Sequence, residues 1–197
     1  MTGLEPARRK LVVDTLLSAA RVHEALAHGP AATVIADAGA LLVSVLAGGG
    51  QVLVFGNGGS AADAQHFAAE LVGRFVRPRR GWPAVALTTD TSVLTAVAND
   101  SGFELVFARQ VEALGRAGDL AVGISTSGAS PNVVRGLEAA GRRGLRTIAL
   151  TGNDGGAAGR SAEVHVNVPD AVTARVQEAH ATVLHLLCAI VDQELEG

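Results

Sequence analysis

Residues 51–74, QVLVFGNGGSAADAQHFAAELVGR, decide the fold. Val52 to Phe55 is a short apolar run that breaks at Gly56-Asn57-Gly58-Gly59-Ser60 and passes directly into an amphipathic helical pattern. That order reads as a buried strand, a glycine turn and a helix N-terminus. Gly58 and Gly59 accept backbone angles closed to other residues and let a ligand come close to the main chain. The leading N–H groups of the helix face the turn, which favours an anionic or hydroxyl-rich ligand. Asp63, His66 and Glu70 then fall at i, i+3 and i+7 on one helical face, while Ala64, Phe67, Ala68 and Leu71 take the other.

Working outward, the same alternation repeats. Helical patterns cover 4–27 and 31–47, the second ending at Gly48-Gly49-Gly50. Beyond the central stretch lies a basic loop with Arg74, Arg77, Arg79 and Arg80, read as solvated or interfacial. Ala84–Thr88 is the next strand, Thr91–Ala98 a short helix ending at Asn99-Asp100, and 103–114 a further helix. Leu120–Ile124 runs into Ser125-Thr126-Ser127-Gly128-Ala129-Ser130, and Pro131 suits the first position of a helix over 131–143. Thr147–Leu150 and Val164–Val168 are the last strands, and a helix over 173–195 starts at Thr173 as its cap. Alternating strands and helices predict an α/β fold, a five-stranded parallel sheet between helical layers, with ligands at the carboxyl ends of the strands. Two leading helices exceed what such a sheet needs for cover, so an oligomer interface is expected of them.

Composition narrows the chemistry. The chain has 197 residues, 48% of them hydrophobic, 24 glycines and a net charge of −3. This describes one well-cored domain without a basic surface for nucleic acid. No apolar run approaches the roughly 20 residues that span a bilayer, and the N-terminus lacks the apolar core of a signal peptide. The single cysteine, Cys188, excludes an internal disulfide, suits a reducing cytoplasm and sits in an apolar run as inert packing. Lys10 is the only lysine, far from the glycine turn, which argues against Schiff-base chemistry and a Walker-type loop. Acid–base candidates reduce to Asp, Glu and six histidines.

Ser125, Thr126, Ser127 and Ser130 put four hydroxyls at a strand end and a helix start, a loop able to hold phosphate without a cation. His66 and Glu70, spaced i, i+4, form either a solvated pair or two ligands of a metal. A second group lies on the last helix: Gln177, Glu178, His180 and His185. His180 shares the stripe of Val176, Val183 and Leu184 and reads as packed; His185 reads as a core residue unless it meets the first cluster.

The runs GNGGSAADAQHFAAELVGRF, AVANDSGF, GISTSGAS and RVQEAH with His185 resemble the phosphoheptose isomerase branch of the sugar isomerase (SIS) domain family, and the likeness covers nearly the whole chain. The resemblance implies a single SIS domain over 1–197, with helices in 1–48 at the oligomer interface and a sugar-phosphate-binding core over 49–197. It implies a cytoplasmic homotetramer converting sedoheptulose 7-phosphate to D-glycero-D-manno-heptose 7-phosphate for heptose precursor biosynthesis. Ser125, Thr126, Ser127 and Ser130 would hold the phosphate; Asn57, Gly58, Gly59, Ser60, Asn99, Asp100, Glu70 and Gln177 would line the sugar. His66, Glu70, Gln177 and His185 match the family's zinc positions, one Zn2+ per subunit, and Glu70 and His185 its acid–base pair. The chain departs from the family pattern at Ala174, where an aspartate is usual. The alternatives are a non-catalytic SIS-domain adaptor that binds the replication initiator, a sugar-phosphate-sensing module, and an isomerase of another sugar phosphate.

Helical geometry adds one expectation. Gln177 and His185 are eight residues apart, roughly 12 Å along a straight helix, whereas ligands of one ion stand about 3–4 Å apart. Either one of them reaches His66 and Glu70 from a neighbouring subunit, or the helix bends.

Overall fold

The computed structural model describes residues 4–195; the outermost ends of the expected domain, 1–3 and 196–197, lie outside them. The helices are α1 (Leu4–His28), α2 (Ala31–Ala47), α3 (Gly59–Val72), α4 (Thr91–Ser101), α5 (Val106–Leu114), α6 (Pro131–Arg142), α7 (Gly156–Arg160) and α8 (Thr173–Glu194). The strands are β1 (Val52–Gly56), β2 (Ala84–Ala86), β3 (Leu120–Ser125), β4 (Arg146–Gly152) and β5 (Val164–Val168).

All five strands are parallel, in the order β2-β1-β3-β4-β5. β1 and β3 are buried along their whole length, as strands covered on both faces must be. One core packs α2, α3 and α8 against Val52, Val54, Val122, Ile148 and Leu150; the other packs α5 and α6 against Leu53, Phe55, Ala121 and Ala149. Alternate residues of each strand thus serve opposite layers. The strand order reverses between β1 and β3, and both turns singled out in the sequence leave the sheet at that point, the usual ligand position in an open α/β sheet.

Several elements differ from the sequence reading. α4 runs on through Asn99 and Asp100 to Ser101, because Asn and Asp only weakly oppose a helix already under way. Residues 103–105 form a single 3-10 turn before α5. The five-residue α7 has too few residues to carry a period and was not expected. Thr173 opens α8, but the capping position is Val172, with Asp170 accepting from the Val172 N–H at 2.7 Å. Of the two leading helices, α2 is a core helix, with Ile35, Ala38, Leu41, Leu42, Val45 and Leu46 buried. α1 is the one left over: Leu11, Val12, Leu16 and Leu17 are all more than half exposed in the single chain. Among the described residues no single helix is long and apolar enough to cross a membrane.

Candidate active site

The turn after β1 forms as its glycines dictate. Gly58, at φ +56°, caps α3 with its backbone and accepts from the Ala61 and Ala62 N–H groups at 3.0 and 3.2 Å. Ser60 is buried and Gly59 exposed. A Cβ on Gly59 would overlap the side-chain amide of Gln177, so this glycine lets α8 approach the start of α3. Asn57 forms a reciprocal amide pair with Asn132 of α6, both bonds 2.8 Å, which ties the turn after β1 to the helix after β3. Asn132 is 3% exposed and escaped the sequence reading. Its place directly after Pro131, in the first turn of a helix that follows the neighbouring strand, was the available signal.

The turn after β3 gathers its hydroxyls on themselves. Ser125 donates to the Ser130 hydroxyl at 3.1 Å and lies 3.5 Å from that of Ser127, which accepts from the Ala129 N–H at 3.2 Å. Ser130 begins α6 without capping it through its side chain; Pro131 has no N–H, and the Val133 and Val134 N–H groups donate to the Ser130 carbonyl, both at 3.1 Å. Gly128 is at φ +64° and packs so closely on Gly155 that a Cβ would strike the Gly155 carbonyl. The loop before α7 braces the turn further, because Asn153 donates to the Thr126 carbonyl at 3.1 Å.

The ionisable face of α3 meets α8 midway along both helices. Nε2 of His66 and Nε2 of His185 are 2.8 Å apart, so one ring donates and the other accepts. Glu70 Oε1 is 3.7 Å from His66 Nε2. Phe75 stacks on the ring of His185, with ring centroids 5.5 Å apart. Asp63, one turn before His66, has its carboxyl pushed up by burial, against the opposing pull of His66, and one buried carboxylate oxygen has no hydrogen-bond partner. α8 is unbroken, and the helices run parallel: Gln177 sits beside Gly59 and His185 beside His66.

His185 therefore joins His66 and Glu70 within one chain. α8 runs without a break from Thr173 to Glu194, and Gln177 stands apart at the start of α3, about two turns before His66. His66, Glu70 and His185 offer two imidazole nitrogens and a carboxylate, a donor set that suits zinc. At 2.8 Å the two nitrogens are drawn together as a hydrogen bond, slightly closer than ligands of one ion. Among the described residues no group of three or more His, Cys, Asp or Glu is already arranged to hold a metal.

Other residues take the places their chemistry demands. His180 is fully buried and donates Nε2–H to the Thr151 carbonyl at 3.0 Å. Burial pushes its pKa down, partly offset by that carbonyl. Burial raises the Cys188 thiol to about 12, which leaves it inert at neutral pH. Asn99 and Asp100 lie exposed in the last turn of α4, with Asn99 donating to Asp100 at 2.7 Å, so within one chain they bond to each other. Arg79 departs furthest from expectation: its side chain is 0% exposed and paired with Asp192.

A fold and site of this kind define a class. A model described as the SIS domain matches residues 18–152, and the chain belongs to the SIS domain family. Within that family it falls among the phosphoheptose isomerases. It is 58% identical to the phosphoheptose isomerase of Geobacter sulfurreducens over 82% of this chain and 85% of the relative. A solved phosphoheptose isomerase from Neisseria gonorrhoeae superposes with a TM-score of 0.89 at 45% identity, covering 94% of this chain and 98% of that one. A second, from Francisella tularensis, gives 0.89 at 38% identity, with 98% and 100% covered.

Proposed function

We infer that the chain is an aldose–ketose isomerase that converts sedoheptulose 7-phosphate to D-glycero-D-manno-heptose 7-phosphate, supplying a heptose precursor. The observation that carries this is the meeting of His66 and Glu70, on the helix whose N-terminus forms the sugar turn, with His185 of α8. The relatives' activity, named above, supports the substrate.

The reaction moves a proton from C1 to C2 of the ketose and another between the two oxygens. One base and one acid suffice, with no redox cofactor. Glu70 takes the C1 proton, leaving an enediol, and returns it to C2. His185, in contact with both His66 and Phe75, exchanges the proton of the carbonyl and hydroxyl oxygens. Ser125, Thr126, Ser127 and Ser130 hold the phosphate through their hydroxyls at the start of α6, where the helix dipole favours an anion, while Asn57, Gly58, Gly59 and Ser60 line the sugar. Asn99, Asp100 and Gln177 belong to the sugar site through the family pattern. His66, Glu70 and His185 would hold one zinc ion, with Gln177 as its fourth family position; when bound, the ion polarises the carbonyl or anchors the site. We further propose a homotetramer in the cytoplasm, supported by the exposed apolar stripe of α1.

The test is incubation with sedoheptulose 7-phosphate, with the aldose followed by NMR. Steady appearance of D-glycero-D-manno-heptose 7-phosphate supports the proposal; no aldose from folded, zinc-supplied protein sinks it. Light scattering decides the tetramer.

A further inference from the structure

The basic loop 73–81, between α3 and β2, contains one arginine that turns inward. Arg79 Nε donates to Asp192 Oδ1 at 2.7 Å, Nη2 to the Glu70 carbonyl at 2.7 Å, and Nη1 to the carbonyls of Leu71 and Arg80 at 2.8 and 3.0 Å. Asp192 Oδ2 accepts from the Val76 and Arg77 N–H groups at 3.0 and 3.1 Å. One guanidinium thus closes the C-terminus of α3, one carboxylate in the last turns of α8 answers it, and the loop between is bound to both. The same loop delivers Phe75 to the ring of His185. Burial alone would raise the Asp192 carboxyl, but the hydrogen bonds from Arg79, Arg77 and Val76 and the Arg79 charge outweigh it and hold it below the usual range.

The seam between the two parallel helices has three levels. At one end Gly59 admits the Gln177 amide; in the middle His66 meets His185; at the other end Arg79 joins Glu70 and Leu71 to Asp192. His185 and Asp192 are seven residues apart, two turns on one face of α8, so the ion pair and the histidine pair share a register. A slide of α8 along α3 would part the two Nε2 atoms, and the lower clamp resists it. A buried pair is weak as a source of stability but well suited to holding two elements in one arrangement.

We propose that Arg79 is a positioning residue: with Asp192 it sets the register of α3 against α8 and, through the strap carrying Phe75, holds His185 where it meets His66 and Glu70. The kinetic half of the test rests on the isomerase reading; the spectroscopic half does not. Arg79→Lys keeps the charge but cannot join Asp192 to two helix-end carbonyls in one plane. In the full chain, the imidazole 15N and 1H signals of His66 and His185 should move although residue 79 touches neither ring. With sedoheptulose 7-phosphate, kcat should fall roughly 10- to 100-fold, the scale of an ångström-sized misplacement, while KM stays near that of the parent. If Arg79→Lys does not fold, the paired Arg79→Met, Asp192→Leu variant removes both charges together and should show the same two changes. A folded variant with unmoved histidine signals, or with parental kcat, overturns the proposal. Parent protein inactive on this sugar would refute the isomerase reading alone, and the histidine signals would still decide the role of Arg79.

Discussion

The turn after β3 and the seam between α3 and α8 carry different halves of the proposed chemistry and are put together differently. In the turn, Ser125, Ser127 and Ser130 reach one another within six residues, at the end of a strand that would place them there in any parallel sheet. In the seam, His66 and His185 are 119 residues apart in sequence and meet at 2.8 Å only because two helices lie parallel on one face of that sheet. A site made locally is damaged by changes to its own residues. A site made by packing is open to damage from side chains that touch neither substrate nor ligand, Arg79 among them.

The sharpest way to separate the two is Glu70→Gln. The amide keeps the size but cannot take a proton, so kcat should drop by roughly 10²–10⁴ while sugar-phosphate binding persists. Zinc content is measured alongside, and activity within a few-fold of the parent would take Glu70 out of the mechanism. Next in size is Ser125→Ala on the other side of the comparison. A lost hydrogen bond to a charged group is worth about 1.5–3 kcal/mol, so calorimetry should show the phosphorylated ketose weakened by roughly tenfold or more, and the unphosphorylated sugar barely changed. Equal weakening of both would mean that the turn does not read phosphate.

Gly128→Ala tests the brace beneath the turn. Its positive φ and the Gly155 carbonyl both oppose a side chain, so a stability loss of about 1–3 kcal/mol is expected in urea unfolding. An unchanged midpoint would show that the loop before α7 does not support the turn. The smallest expected effect is a pH dependence of stability. His180 and His165 both have pKa values lowered by burial. Below the unfolded value of about 6.5 the unfolded chain therefore binds more protons, and stability falls as pH drops from there through the native values. His180→Gln should flatten that slope between pH 7.5 and 5.5; an identical slope would remove His180 from the linkage.

The sequence by itself determined the elements and the order in which they come. Four of the five strands are short apolar runs bounded by turn residues, and the long helices repeat their apolar positions every three to four residues, so local pattern placed them and implied the parallel sheet. It determined the glycine turn too, because Gly58 at φ +56° is a local necessity. Recognition of the strand-end hydroxyls needed no partner either. Where short range was insufficient, the reading stopped: GAAGR of α7 has no period to see, and nothing in RPRR distinguishes the arginine that turns inward from those that stay in solvent. Tertiary structure alone decided that α2 is core while most of the apolar stripe of α1 is exposed, that Asn132 pairs with Asn57, and that His185 leaves the apolar core to meet His66. It also placed Gln177 at the other end of the seam. The physical reason is common to these cases. A side chain's partner across two helices depends on their relative register, which many weak contacts and one buried ion pair set together, and no local run of residues encodes it.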